Sequence, residues 1–95
     1  MQMHSPVHPG VILREYMGEA LTVSRLAKHL GMTRANLSMI LNGRLGVTAA
    51  TALKLSEAFP NSRPDTWLAI QAQYDIAKER KKKRRKIEPV ELAAA

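Results

Sequence analysis

The stretch Leu26-Ala27-Lys28-His29-Leu30-Gly31-Met32-Thr33-Arg34-Ala35-Asn36-Leu37-Ser38-Met39-Ile40-Leu41-Asn42-Gly43 decides the fold. It reads as two short amphipathic helices joined by a glycine turn. Leu26, Ala27 and Leu30 fall on one face of the first helix, and Leu37, Ile40 and Leu41 on one face of the second. Gly31 lies between them, where a left-handed backbone would turn the chain sharply. Thr33 is placed to cap the second helix through its hydroxyl. Ala27 is small enough to let the two helices approach closely. This is the pattern of a helix-turn-helix, whose second helix enters the major groove of DNA.

With Leu37, Ile40 and Leu41 turned inward, a pitch of about 100° per residue turns Ala35, Asn36, Ser38, Met39 and Asn42 outward. Arg34 sits in the first turn, from which a long side chain reaches the same surface. This outward set contains no acid. Arg34 has the donors to grip guanine O6 and N7, or a phosphate. Asn36 matches adenine N6 and N7, and Ala35 or Met39 can pack on a thymine methyl. Thr33, Asn42 and Arg44 are placed for phosphates at the groove edges. Capping by Thr33 is compatible with that role, since a helix N-terminus itself favours an anion. The competing reading is a solvated helix face, with Asn42-Gly43 a plain helix stop. Arg25 and Lys28, on the exposed side of the preceding helix, add backbone contacts or are simply solvated.

Outward from this centre the chain reads as helices throughout, an all-α, five-helix domain. His8-Pro9-Gly10 opens the first helix, with Pro9 at a favourable first position. Its apolar face is Val11, Ile12, Leu13, Tyr16 and Met17, and Gly18 ends it. Thr22 caps the second helix, which runs to about Leu30, and the third covers Arg34 to about Leu41. Thr48 caps a fourth helix through about Phe59, with Ala52, Leu53, Leu55, Ser56 and Phe59 at helical spacing. Pro60 stops it, and Asn61 is expected in the left-handed conformation. Ser62 and Asp65 have capping-box spacing for a fifth helix starting near Arg63 and carrying Trp67, Leu68, Ile70 and Tyr74. Trp67 and Tyr74, seven apart, lie on one side of it. That stripe reads first as core, and part of it, from Trp67, Leu68, Ile70 and Tyr74, as a candidate dimer seam. Glu88-Pro89 blocks further helix.

Ninety-five residues make one small domain, divided here into a flexible lead (1–7), a helix-turn-helix domain (8–77) and a basic C-terminal extension (78–95). The net charge of +7 is local. Residues 1–77 carry seven Lys/Arg against five Asp/Glu, whereas residues 78–86 carry eight against one. The run 78–86 is therefore either a solvated tail or a sequence-independent contribution to anion binding. No apolar run is long enough to span a membrane, and no apolar segment after Met1 resembles a signal peptide, so a cytoplasmic location is expected. The chain has no cysteine, hence no disulfide and no thiolate metal site. His4 and His8 are four apart, but Pro6 between them argues against a helical metal pair. No carboxylate pair, nucleophile with a base, or glycine-rich phosphate loop is present, so no enzyme, metal or cofactor is expected.

From His8 to about Ala77 the chain resembles the HigA-type, or VapI-like, antitoxins of the Xre and lambda-repressor-like group. The resemblance rests on marks in order: His8-Pro9-Gly10 with Ile12-Leu13, Leu26-Ala27 with Leu30-Gly31, and Ile40-Leu41-Asn42-Gly43. Then come Thr48, Ala52-Leu53 with Leu55, and Trp67-Leu68 with Gln71, Tyr74 and Asp75. It implies a five-helix domain that forms a homodimer on operator DNA, represses its own operon and holds a RelE-like mRNA-cleaving toxin inactive. It also implies that Thr33 to Asn36 and Met39 lie in the groove, with Asn42 at the phosphate backbone. Pro60-Asn61 replaces the family's apolar-Gly pair, and Leu45 stands where a basic residue is common. The run 78–86 is not a family mark. The alternatives to an antitoxin are a stand-alone regulator with no toxin and a protein-interaction module that inhibits a ribonuclease.

Overall fold

The computed structural model describes residues 6–92, and these form five helices and no strand. They are α1 (Pro9–Met17), α2 (Val23–Leu30), α3 (Arg34–Leu41), α4 (Ala49–Ala58) and α5 (Pro64–Lys81). His4, most of the expected flexible lead and the last three alanines lie outside the described residues.

Four of the five helices start at a side-chain cap. The Thr22, Thr33 and Thr48 hydroxyls accept from the amides of Arg25, Asn36 and Thr51, and His8 Nδ1 accepts from Gly10 N–H at 2.9 Å. Each acceptor satisfies an amide that the helix itself leaves unpaired. The helices α2 and α3 end alike. Gly31 takes φ 70° and Gly43 φ 76°. Met32 and Arg44 amides then reach back to the carbonyls of Ala27 and Met39, closing a Schellman turn on each.

Two expectations about the last connection fail. Asn61 is not left-handed, since no described residue other than glycine has positive φ. Ser62 does not cap α5, and its N-cap Arg63 makes no side-chain cap. The Ser62 hydroxyl donates to Phe59 O at 2.7 Å and accepts from the Trp67 indole at 3.0 Å. Burying that indole demands a partner for its N–H, and this requirement outweighs the cap. Asp65 pairs with Arg63 instead.

The core is aliphatic around one tryptophan. Leu13, Leu26, Ala27, Leu30, Leu37, Ile40, Leu41, Val47, Ala52, Leu55 and Trp67 are all buried. The helix α1 packs on α3 through Gly10, where an added Cβ would lie 2.2 Å from the Ile40 carbonyl oxygen. At the far end of α1, Tyr16 stacks at a tilt on Phe59 and Trp67, with centroids 5.3 and 5.5 Å away. Val11 and Leu53, read as apolar-face positions, are about half exposed.

Trp67 is 1% exposed. It belongs to the core of a single chain and cannot form a dimer seam, which corrects that expectation. Tyr74 is half-buried, its ring edge-on to His8 at 4.9 Å. Ile70 is also half-buried, beside Ile12 and Tyr16 of α1. Leu68 remains on the surface.

Candidate nucleic-acid interface

The helix α3 buries Leu37, Ile40 and Leu41 and presents Thr33, Arg34, Ala35, Asn36 and Met39 to solvent. Eight residues make a rod about 12 Å long, comparable with the roughly 12 Å width of the major groove. Ser38 is only half exposed, which limits its reach. The side chains of Arg34 and Asn36 make no hydrogen bond or ion pair among the described residues. They are therefore available to a ligand. The first turn of α3 carries no acid, so no charge there offsets the positive end of its dipole.

The C-terminal edge of this helix is held from α1. Arg14 Nη2 donates to Asn42 Oδ1 at 2.9 Å, and Arg14 Nε leans on the Leu41 carbonyl at 3.4 Å. The Asn42 amide nitrogen points to Ser38 Oγ at 3.4 Å. Asn42 is thus oriented by the protein rather than free, and Arg14 brings a fixed cation to the same edge. Arg44, just beyond, is exposed. Nothing local in the sequence couples Arg14 to Asn42, which lie 28 residues apart.

A wider charge pattern surrounds this surface. From Ala20 through Ser56 there is no Asp or Glu, while Arg25, Lys28, Arg34, Arg44 and Lys54 all fall there. That acid-free window is legible in the sequence, and it marks the whole helix-turn-helix rather than α3 alone.

Behind the interface, a polar bracket fixes the loop that follows α3. The Gln71 side chain, buried on α5, accepts from Val47 N–H at 2.7 Å and donates to Asp75 at 3.0 Å. Gly46 leaves room for it, since a Cβ there would approach the Gln71 amide to 3.1 Å. His8 lies between Gly43 and Tyr74. Burial pushes its imidazole below the usual histidine range, against the opposing pull of Asp75. The neutral ring then accepts from Gly10 through Nδ1. The residues His8, Gln71, Tyr74 and Asp75 therefore act on the scaffold and not on a ligand.

A helix-turn-helix family model matches residues 13–66, more than half of the chain. The chain belongs to the Xre-like helix-turn-helix family. Among relatives of this helix-turn-helix protein is virulence-associated protein A' of Dichelobacter nodosus, 46% identical over 80% of this chain and 67% of that one. Among solved structures, an addiction module antidote protein of a HigA family from Coxiella burnetii superposes with a TM-score of 0.74. It is 40% identical, over 79% of this chain and 83% of that chain. The Pseudomonas aeruginosa antitoxin HigA, solved with the higBA promoter, superposes with a TM-score of 0.73 at 29% identity, over 78% and 82% of the two chains. The fold neighbours of this helix-turn-helix protein are therefore HigA-family antitoxins.

Among the described residues, no helix is long and apolar enough to cross a membrane. No three His, Asp or Glu side chains among them gather as a metal site would require.

Proposed function

We propose that this chain is a non-enzymatic antitoxin that binds operator DNA as a homodimer, represses its own operon and neutralises a RelE-like mRNA-cleaving toxin. The observation that carries the DNA-binding part is the unpaired, acid-free face of α3. It is held on a capped scaffold of the same fold as an antitoxin solved with a promoter. In this reading Arg34, Ala35, Asn36 and Met39 face base edges. Thr33, Ser38, Asn42 and Arg44 serve the groove margins, with Arg14 fixing Asn42.

The homodimer reading follows from size. A single eight-residue helix reaches few base pairs, and two such helices about 34 Å apart double the readout. With Trp67 in the core, the seam moves to the opposite side of α5, where Leu68 and Ile76 are exposed and lie two turns apart with Ala72 between them. The toxin part rests on the antitoxin names of the structural relatives.

The test has two arms. The purified chain is titrated against the duplex preceding its own coding sequence and against a scrambled duplex at fixed salt. The neighbouring reading frame is then expressed with and without the chain in growing cells. Preference for the native duplex and rescue of arrested growth are expected. Preference without rescue leaves a stand-alone regulator, and rescue without preference leaves a protein-interaction module.

A further inference from the structure

We propose that residues 78–86 form a DNA arm that extends the footprint of α3 along flanking phosphates without reading sequence, an inference that rests on α3 being the DNA-facing helix. The run carries eight Lys/Arg and one acid. That acid, Glu79, is held by Lys82 at 2.6 Å. Part of the run has a local explanation, because Lys78, Arg80 and Lys81 fall in the last turn of α5 and favour its negative end. That effect fades within a turn. Lys83, Arg84, Arg85 and Lys86 lie beyond the helix, in exposed chain without regular structure. Neither the helix end nor the fold accounts for them.

The fold also sets where the run begins. Lys78 Nζ sits 6.0 Å from the centre of the Tyr74 ring. Tyr74 stacks edge-on against His8, and the His8 ring lies against Gly43, with Cγ 3.7 Å from where a Cβ would stand. Gly43 is flanked by Asn42 and Arg44. The root of the run is thus two side chains away from the phosphate-facing corner of α3. Four extended residues past the helix reach a further ~13 Å, about two phosphate spacings along a strand. An arm rooted at that corner continues the positive surface of Arg14 and Arg44 outward along a duplex. A basic, RNA-cleaving protein would be repelled by it, which favours DNA over that partner.

The experiment compares the full chain with a variant carrying Lys83→Gln, Arg84→Gln, Arg85→Gln and Lys86→Gln. None of these residues touches the core, so circular dichroism should be unchanged. Affinity is measured from 50 to 200 mM salt on a ~30-bp mixed-sequence duplex, on the duplex preceding the chain's own gene, and on single-stranded RNA of equal length. Each phosphate neutralised adds about 0.9 to the slope of log affinity against log salt. Loss of three or four contacts per protomer should flatten the slope on both duplexes by about 3 for each protomer bound, so that the variant's loss of affinity between 50 and 200 mM salt is ~60-fold smaller per protomer. The ratio of affinities for native and mixed duplex should not change. Equal slopes for the two proteins overturn the proposal. A slope change confined to RNA also overturns it and assigns the run to RNA. A fall in the native-to-mixed ratio overturns its sequence independence. Failure of the full chain to prefer its own duplex would count against the operator reading instead, and the mixed duplex would still report on the arm.

Discussion

Arg34 and Asn36 are separable from the fold at the scale of single residues. Both are exposed on α3, and neither side chain is engaged by the described protein. Arg34→Ala and Asn36→Ala should each cost about 1–3 kcal/mol at a cognate base pair and relax preference there. Thermal unfolding should stay within about 0.5 kcal/mol of the parent, as for surface sites generally. Operator titration at fixed salt, alongside thermal unfolding, checks this. Unchanged base preference in both folded variants would remove α3 from the interface.

His8 behaves in the opposite way, since its chemistry is spent on the fold. Its Nδ1 lone pair caps α1, and protonation would destroy that acceptor. Its folded pKa lies below the unfolded 6.5, chiefly through burial. The unfolded chain therefore binds the proton more readily, so the contribution of His8 is complete above pH 6.5 and is lost as pH falls below it. The urea midpoint should drop between pH 7.5 and 5.5. His8→Asn keeps a capping acceptor that does not titrate, and its midpoint should fall less over the same range. Parallel pH profiles would show that His8 does not govern this window.

Among the elements, the threonine-capped starts of α2, α3 and α4 were legible because each cap is a contact within three residues, whereas the His8 cap of α1 was found only in the structure. The same locality explains the missed cap at α5. Ser62 and Asp65 have the spacing of a cap, but the buried indole of Trp67 takes the Ser62 hydroxyl. That demand arises from packing and leaves no mark in the local sequence. The pairing of α1 with α3 is likewise tertiary and depends on Gly10. Gly10→Ala would drive a methyl into the Ile40 carbonyl, only 2.2 Å from its ideal position. A backbone oxygen cannot move aside as a flexible side chain would, so the helices must separate. The expected loss is about 1–3 kcal/mol or more, read as a lower urea midpoint with an unchanged helical spectrum. An unchanged midpoint would show that α1 tolerates the extra methyl.

On the whole molecule, the exposed pair Leu68 and Ile76 sets the predicted assembly. Leu68→Glu combined with Ile76→Glu places two charges on the proposed seam and leaves the buried face of α5, with Trp67 and Gln71, untouched. The parent should scatter light as a dimer at micromolar concentration and the variant as a folded monomer with weaker operator binding. A dimeric variant would place the seam elsewhere.

The sequence alone determined the helix count, the three threonine caps, the glycine turns at Gly31 and Gly43, and the inward and outward faces of α3. These follow from periodicity and from contacts a few residues apart, which the chain carries in its order. It also carried the resemblance to the HigA-type antitoxins. Only the tertiary structure decided that Trp67 is core, that Arg14 orients Asn42 across 28 residues, and that the basic run starts beside Gly43 by way of His8 and Tyr74. It also placed His8, Gly10, Gln71, Tyr74 and Asp75, all marks of the resemblance, at contacts between distant segments. Apart from Gly10, which lets α1 approach α3, they brace the loop after α3 against α1 and α5. The physical reason is common to all of these. Burial and side-chain partnership between distant segments exist only once the helices have packed, and a one-dimensional pattern does not specify which distant residues will meet.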